Sequence, residues 1–400
     1  MKNILYLTLV KIDNLNQRGL YADLVRELSH RGLNVYVVCP RQRRLGLSTE
    51  VLVDGNVHLL QVRTGNITKA NMIEKGLSTI LIGRQYQRAI DKYFAGVKFD
   101  LILYSTPPIT FETVVRHYKM THHAKTYLML KDIFPQNAVD LGLLRRPGFL
   151  WWYFRKKEKR LYTISDVIGC MSPANVRYLL HKNPYLDVQK VEVFPNSIRP
   201  IPPVIGRKNY DLLAKYGIPS SSVLFIYGGN LGKPQGIDFL LSVVDAFHEV
   251  PNSFLLIVGS GTEFRRIRNH LEVKKPSNVR LIGQLPKSEY DELLESSDVG
   301  LIFLDRRFTI PNFPSRLTSY MEYSLPVLAA TDKNTDLKDI LLQSESGYWC
   351  ESGDLKSFIK HATELACNSE LRSQMGENAR AYLEEHYDVS KTIDILLKHL

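Results

Sequence analysis

Cysteine is scarce in this chain: there are four in 400 residues, Cys39, Cys170, Cys350 and Cys367, far apart and without CxxC spacing. That pattern argues against a zinc site or a disulfide framework and fits a reducing cytoplasm. Long apolar runs are also missing, and none approaches the roughly 18 residues that a bilayer-spanning helix needs. The run from Ile4 to Val10 superficially resembles a signal peptide. It is short, Lys11 and Asp13 follow it, and no small-residue cleavage site appears, so it is read as a first strand. There is no GxSxG and no Walker sequence ending in Gly-Lys-Ser/Thr. The histidines lack metal-ligand spacing, and the adjacent His122 and His123 would point in different directions. No internal repeat or low-complexity tract is visible.

What is present is a globular composition, 44% hydrophobic and 23% charged, in a chain long enough for two domains. The charge is uneven. Residues 1–200 hold 30 Lys and Arg against 15 Asp and Glu, a balance of +15. Residues 201–400 hold 22 against 26, a balance of −4, which together give the net +11. A strongly basic first half calls for an anionic partner: nucleic acid, a membrane surface or a phosphorylated substrate.

Residues 3–9, a helical pattern through Leu20, Leu24 and Leu28, and NVYVVC at 34–39 form a βαβ unit. A helix is expected over 69–93. Strands are expected at 101–104, 126–130, 167–170 and 191–194. Four prolines in 195–203 read as a stiff linker. A second series follows, with strands at 223–227, 253–258, 279–282, 299–303 and 326–329, a helix over 315–323 and a helical tail over 371–400. The expected division is 1–199, 200–378, and a C-terminal helix at 379–400 packing back towards the first domain. Two Rossmann-like halves present their ligand sites at the strand C-termini.

The most informative stretch is LFIYGGNLGKPQG, residues 224–236. An apolar strand, a glycine turn and a helix together present backbone N–H groups to an anion, and Lys233 adds charge. Gly259-Ser260-Gly261 followed by Glu263 is half of a dinucleotide fingerprint, because Phe264 stands where the third glycine would be. In FPSRL at 313–317, Pro314 and Ser315 suit a helix start and Arg316 lies in the first turn, where it opposes the helix dipole unless it serves an anion. Asp132, in LKDIFPQN, follows an apolar strand and suits either a base that orients a hydroxyl or a helix cap. FLWWYFRKKEKR at 149–160 places Trp151 and Trp152 beside Arg155, Lys156, Lys157 and Arg160. That pairing suits either the surface of an anionic bilayer or a core face with solvated cations.

Taken together, GGNLGKPQG, VGSG at 258–261, NVRLIGQLP at 278–286, SSDVGLIFL at 296–304, FPSRLTSYM with LPVLA, and VFPNSI at 193–198 resemble a bacterial glycosyltransferase of family 4. STPP at 105–108 and KDIFPQNAVDLG at 131–142 resemble members that build O-antigen, capsule and exopolysaccharide. The resemblance spans nearly the whole chain. It implies the GT-B architecture, an α/β fold of two Rossmann-like domains with parallel sheets facing across a cleft. It also implies a sugar-nucleotide donor, UDP-linked, held by the C-terminal half, and retaining transfer at the cleft. The acceptor would be a saccharide or a lipid-diphosphate-linked saccharide on the N-terminal side. No metal and no separate cofactor are implied, since Lys, Arg and helix N-termini neutralise the leaving diphosphate.

By position, the resemblance places Gly229, Asn230, Lys233, Ser315 and Arg316 at the phosphates, Gly261 and Glu263 near the nucleoside, and Leu285 near the base. Gly19, Ser105, Thr106 and Asn137 fall on the acceptor side, with Asp132 catalytic. Many relatives carry two glutamates before the Pro-Val strand, where this chain has Pro311 and Ser319, and Ser319 is counted by that position among the donor-binding residues. Glu322, one helical turn past Ser319, would then take a catalytic or ribose-contacting role. The Arg and Lys usual in the donor loop are here Asn230 and Gln235. Two other readings stand beside this one: a UDP-sugar 2-epimerase of the same architecture, and a non-catalytic basic protein of membranes or nucleic acid. No RNP-like, zinc or helix-turn-helix motif supplies base readout, so no nucleic-acid partner is expected. The expected location is the cytoplasm, on the inner face of the plasma membrane.

Overall fold

The computed structural model describes residues 1–15, 18–67, 72–203 and 208–400. The chain forms two compact units, Met1–Arg199 with Asp388–Leu400, and Pro200–Tyr387.

In the first unit the strands are β1 (Asn3–Leu7), β2 (Asn34–Gln42), β3 (Glu50–Asp54), β4 (Val57–Thr64), β5 (Leu101–Ser105), β6 (Lys125–Leu130), β7 (Val167–Cys170) and β8 (Val191–Val193). They lie in the order β3-β4-β2-β1-β5-β6-β7-β8. All neighbours are parallel except β3, which runs antiparallel to β4. The order reverses between β1 and β5, the switch point at which such sheets bind ligands. The helices are α1 (Leu20–His30), α2 (Met72–Tyr93), α3 (Glu112–His122), α4 (Gln136–Asp140), α5 (Phe149–Ile164) and α6 (Pro173–Lys182). The start expected for the second helix, at 69, lies outside the described residues.

The hairpin β3–β4 is an element that the strand pattern did not suggest. Gly55-Asn56 supplies its two-residue turn, with Gly55 at φ +56. β3 is short and largely exposed, and its Val51-Leu52-Val53 run shows neither burial nor polar–apolar alternation to mark it as a strand.

The second unit contains α7 (Tyr210–Lys215), β9 (Val223–Asn230), α8 (Ile237–Ala246), β10 (Ser253–Ser260), α9 (Phe264–Lys274), β11 (Val279–Ile282) and α10 (Lys287–Glu295). It continues with β12 (Val299–Phe303), α11 (Arg316–Glu322), β13 (Val327–Thr331), α12 (Leu337–Gln343), β14 (Gly347–Glu351), α13 (Leu355–Cys367) and α14 (Ser369–His386). Its sheet is wholly parallel, in the order β11-β10-β9-β12-β13-β14. Leu224 to Tyr227 are completely buried. Each such side chain contributes about 1.5–3 kcal/mol on burial. That explains why β9 reads as a continuous apolar run.

The expected break at 378 falls inside α14, which continues to His386. The chain returns to the first unit only at Asp388, whose carboxylate caps α15 (Val389–Leu397) by accepting from the Ser390 N–H at 2.8 Å. Val389, Ile393 and Leu396 then join the core of the first unit beside Leu24 and Leu28 of α1.

Candidate functional site

The switch point of the second sheet lies between β9 and β12, which places the loop after β9 where a ligand would meet the strand ends. Gly229 adopts φ +130, a conformation L side chains rarely take, and Gly259 of β10 lies directly on its carbonyl. Glycine at both positions lets the two strand ends close together. Leu231 N–H bonds Ser260 O at 2.9 Å, and Glu263 N–H bonds Leu231 O at 2.9 Å. The turn at Lys233–Gln235 is pinned by Asp305 N–H donating to Pro234 O at 3.0 Å. Asn230 and Lys233 are exposed, and no side-chain partner holds Lys233 among the described residues.

Arg316 is the centre of this arrangement. Its Nη2 donates to Gln235 Oε1 at 2.8 Å. Its guanidinium stacks 4.4 Å from the centroid of Tyr227. A Cβ at Gly229 would stand 3.3 Å from Nη2, so the cation lies against the glycine turn. Nη1 is buried without a hydrogen-bond partner, and no carboxylate pairs with the side chain among the described residues. A desolvated cation without a counter-charge is costly, and a bound anion offsets that cost.

Tyr320, one turn further along α11, fixes the helix. Its ring occupies the space that a side chain at Gly300 would fill. Its hydroxyl donates to Leu301 O at 3.0 Å and accepts from Gly228 N–H at 3.3 Å. Burial pushes that hydroxyl up to about 12, so it stays protonated. Tyr227, Gln235 and Tyr320 were not among the sequence-derived site residues. Glycines inside β9 and β12 were the available signal, since glycine in a strand marks close approach of another group.

The expected phosphate site at the start of α11 takes a different form. The helix is seven residues long, and Ser315 is exposed, already helical and makes no capping bond. The charge of Arg316 is the feature facing the loop. Ser319 is half-buried on the same helix. Gly261 packs under Leu231, Glu263 is half-buried beside Arg266, and Leu285 follows β11, where Ser260 Oγ bonds Gln284 Oε1 at 3.3 Å.

Glu322 has a different task from the one expected. It is 5% exposed, and its carboxylate accepts from Ile201 N–H at 3.1 Å. Arg380 donates to Glu322 O at 3.0 Å and to Ile201 O at 2.6 Å. Glu322 therefore anchors the segment entering the second unit.

In the first unit, Asp132 leaves the end of β6 and is gripped by Asn137, whose Nδ2 stands 2.7 and 2.9 Å from the two carboxylate oxygens. It does not cap α4, which starts after Pro135. Burial outweighs that bond and raises the carboxyl to about 6. The neighbouring Lys131 is lowered to about 7 by burial, its amine 5.5 Å from the Phe194 ring centroid.

Thr106 is buried, and its hydroxyl is fully used. It accepts from Lys131 N–H at 3.1 Å and Asp132 N–H at 3.2 Å and donates to Asp132 O at 3.1 Å. Thr106 thus positions Asp132 and offers an acceptor nothing further. Ser105 is also buried. Gly19 precedes α1, and its N–H reaches Asp23 Oδ1 at 3.4 Å.

The aromatic-basic segment is α5. Trp152, Lys156 and Arg160 are exposed and Trp151 is half-buried under Arg146, whose guanidinium is 5.0 Å from the ring. Arg155 and Lys157, expected at the membrane surface, are instead half-buried and paired. Arg155 pairs with Glu158 at 2.5 Å and Asn183 at 2.5 Å, and Lys157 reaches buried Glu112 at 3.4 Å. Both cations are held by carboxylates, Lys157 tying α5 to α3 and Arg155 reaching Asn183 from the edge of a surface groove.

Comparison with known proteins places these features in a family. The model for glycosyl transferases group 1 matches residues 210–382, and that for glycosyltransferase family 4 matches residues 20–200. A probable glycosyltransferase, WbjE of Pseudomonas aeruginosa, is 24% identical over 72% of this chain and 71% of its own length. The N-acetyl-alpha-D-glucosaminyl L-malate synthase of Bacillus anthracis is 27% identical over 57% of this chain and 58% of its own. Among solved structures, a sucrose-phosphate synthase from Thermosynechococcus elongatus superposes with a TM-score of 0.78 at 15% identity, covering 100% of this chain and 99% of that one. Anabaena HepE in complex with UDP-glucose gives 0.69 at 13% identity over the whole of both chains. The protein is a bacterial family 4-like glycosyltransferase of GT-B architecture.

Proposed function

We propose that this enzyme moves a sugar, with retention, from a UDP-linked donor to a saccharide carried on a lipid diphosphate. It does so at the inner face of the plasma membrane, in surface polysaccharide synthesis. The observation that carries the reading is the buried guanidinium of Arg316, which lacks a carboxylate and lies against the glycine turn of β9 beside exposed Lys233. A donor diphosphate supplies the missing negative charge. In the reaction the bond from the anomeric carbon to the β-phosphate oxygen breaks and a bond to the acceptor oxygen forms on the same face. The diphosphate leaves with the electron pair, and Arg316 and Lys233 stabilise the charge it gains. Asp132, held by Asn137, orients the acceptor hydroxyl and takes its proton. UDP is favoured because HepE, of the same fold, is described with UDP-glucose. The surface-polysaccharide role draws on WaaG, a neighbour described as involved in lipopolysaccharide biosynthesis.

The test is incubation with a panel of sugar nucleotides and membrane lipid acceptor. Donor-dependent release of nucleoside diphosphate is expected, with kcat/KM falling below about pH 6 as Asp132 protonates. In Asp132→Asn, activity should drop by about 100-fold or more and that acid limb should disappear. No nucleotide release with any donor would contradict the proposal.

A further inference from the structure

α5 carries more than the link to its neighbours. Glu158, Leu161 and Tyr162 face inward, and Glu158 is occupied by Arg155 and the Tyr162 hydroxyl. The outward side has the opposite character. Phe149 is 85% exposed, Leu150 56% and Trp152 62%. With Tyr153 and Ile164, Phe149 and Trp152 form the apolar part of a groove of about 670 Å³. Its rim carries Arg116 from α3 and Lys156, Lys159 and Arg160 from α5, Arg155 also lines it while paired with Glu158, and no acidic side chain lines it. Arg116 also pairs with Glu112 on α3. Lys159 stands 5.7 Å from the ring centroid of Tyr185, itself half exposed. Large contiguous apolar surface ringed by one sign of charge marks an interaction site. No helix among the described residues is long and apolar enough to cross a membrane, so the surface suits contact with a bilayer and not insertion through it.

We infer that this groove docks the enzyme on an anionic bilayer. The indole of Trp152 and the ring of Phe149 enter the headgroup–acyl boundary, and Arg116, Lys156, Lys159 and Arg160 meet the lipid phosphates. The inference rests on the membrane-side reading proposed above and assigns the surface that serves it. Charge complementarity selects the occupant: a lining of five cations without an acid repels a like copy of itself and fits a phosphate-rich plane. Long cationic side chains can lie along the apolar floor while keeping their heads at phosphate level.

The test is co-sedimentation of the full-length protein with phosphatidylcholine vesicles and with phosphatidylcholine vesicles containing phosphatidylglycerol. UDP affinity in solution is measured on the same preparations. The wild type is expected to bind the anionic vesicles and not the neutral ones, with binding lost at high salt. The triple variant Lys156→Glu, Lys159→Glu, Arg160→Glu should weaken vesicle binding about 100-fold or more, and Trp152→Ser about tenfold. Both should retain UDP affinity, and Lys233→Ala should leave vesicle binding unchanged. Absence of vesicle binding by the wild type, equal binding to neutral vesicles, or binding unaffected by either variant would overturn the inference. So would lipid-free self-association abolished by Trp152→Ser, which would assign the face to a second copy. Vesicle binding without any nucleotide affinity would instead sink the transferase chemistry proposed above and leave the docking surface standing.

Discussion

At the scale of single residues, the donor site depends on where one cation is placed. Arg316 is aimed by Gln235 and stacked on Tyr227, and its position is set by Tyr320 one turn later. The sequence shows Arg316 and the glycine turn but not Gln235 as its partner, because Gln235 and Arg316 are 81 positions apart and meet only through the fold. On the acceptor side, Asp132 was legible from its place at a strand end, whereas Lys131 was not singled out, since burial alone makes it unusual. The pair has a testable signature. Asp132 is raised to about 6 from 3.8, so the folded state binds its proton more tightly than the unfolded one, and stability falls as pH rises from about 4 to about 6. Lys131 is lowered to about 7 from 10.5, so the unfolded state binds more protons there, and stability rises between about pH 7 and pH 10.5. Urea denaturation of Asp132→Asn and Lys131→Met against pH should lose the first and the second slope respectively, worth up to about 3 and about 5 kcal/mol. Slopes identical to those of the wild type would show that neither group is perturbed by folding.

At the scale of elements, α11 joins two tasks. Its first residue faces the glycine turn, while its last, Glu322, holds Ile201 together with Arg380. The helical spacing of 315–323 was readable, and so was the place of Arg316 in its first turn. The destination of the Glu322 carboxylate was not, because a buried hydrogen bond to a linker N–H leaves no pattern in the sequence. Glu322→Gln is therefore expected to lower unfolding free energy by about 1–3 kcal/mol and leave UDP affinity within about twofold. Loss of UDP affinity at full stability would restore the ribose-contacting role. The β3–β4 hairpin is the opposite case: its Gly55-Asn56 turn is plain, but its exposed strand carries no polar–apolar alternation.

At the scale of the whole molecule, the two parallel sheets and the proline-rich passage at Arg199–Pro200 were legible from apolar runs and turn residues, which local chemistry dictates. The second passage, at Tyr387–Asp388, was misplaced by nine residues, because a single cap, Asp388, separates two helices in an unbroken helical pattern. The charge asymmetry of the chain also gains a location, with exposed Lys156, Lys159 and Arg160 on α5. The central claim is that the β9 turn and Arg316 form a diphosphate site, and calorimetric titration of UDP and UMP tests it most directly. The wild type should bind UDP well and UMP much more weakly. Lys233→Ala and Arg316→Gln should each weaken UDP by about tenfold or more while leaving UMP nearly unchanged, since a charge-assisted hydrogen bond is worth about 1.5–3 kcal/mol. Equal affinity for UDP and UMP, or UDP binding untouched by both substitutions, would contradict it.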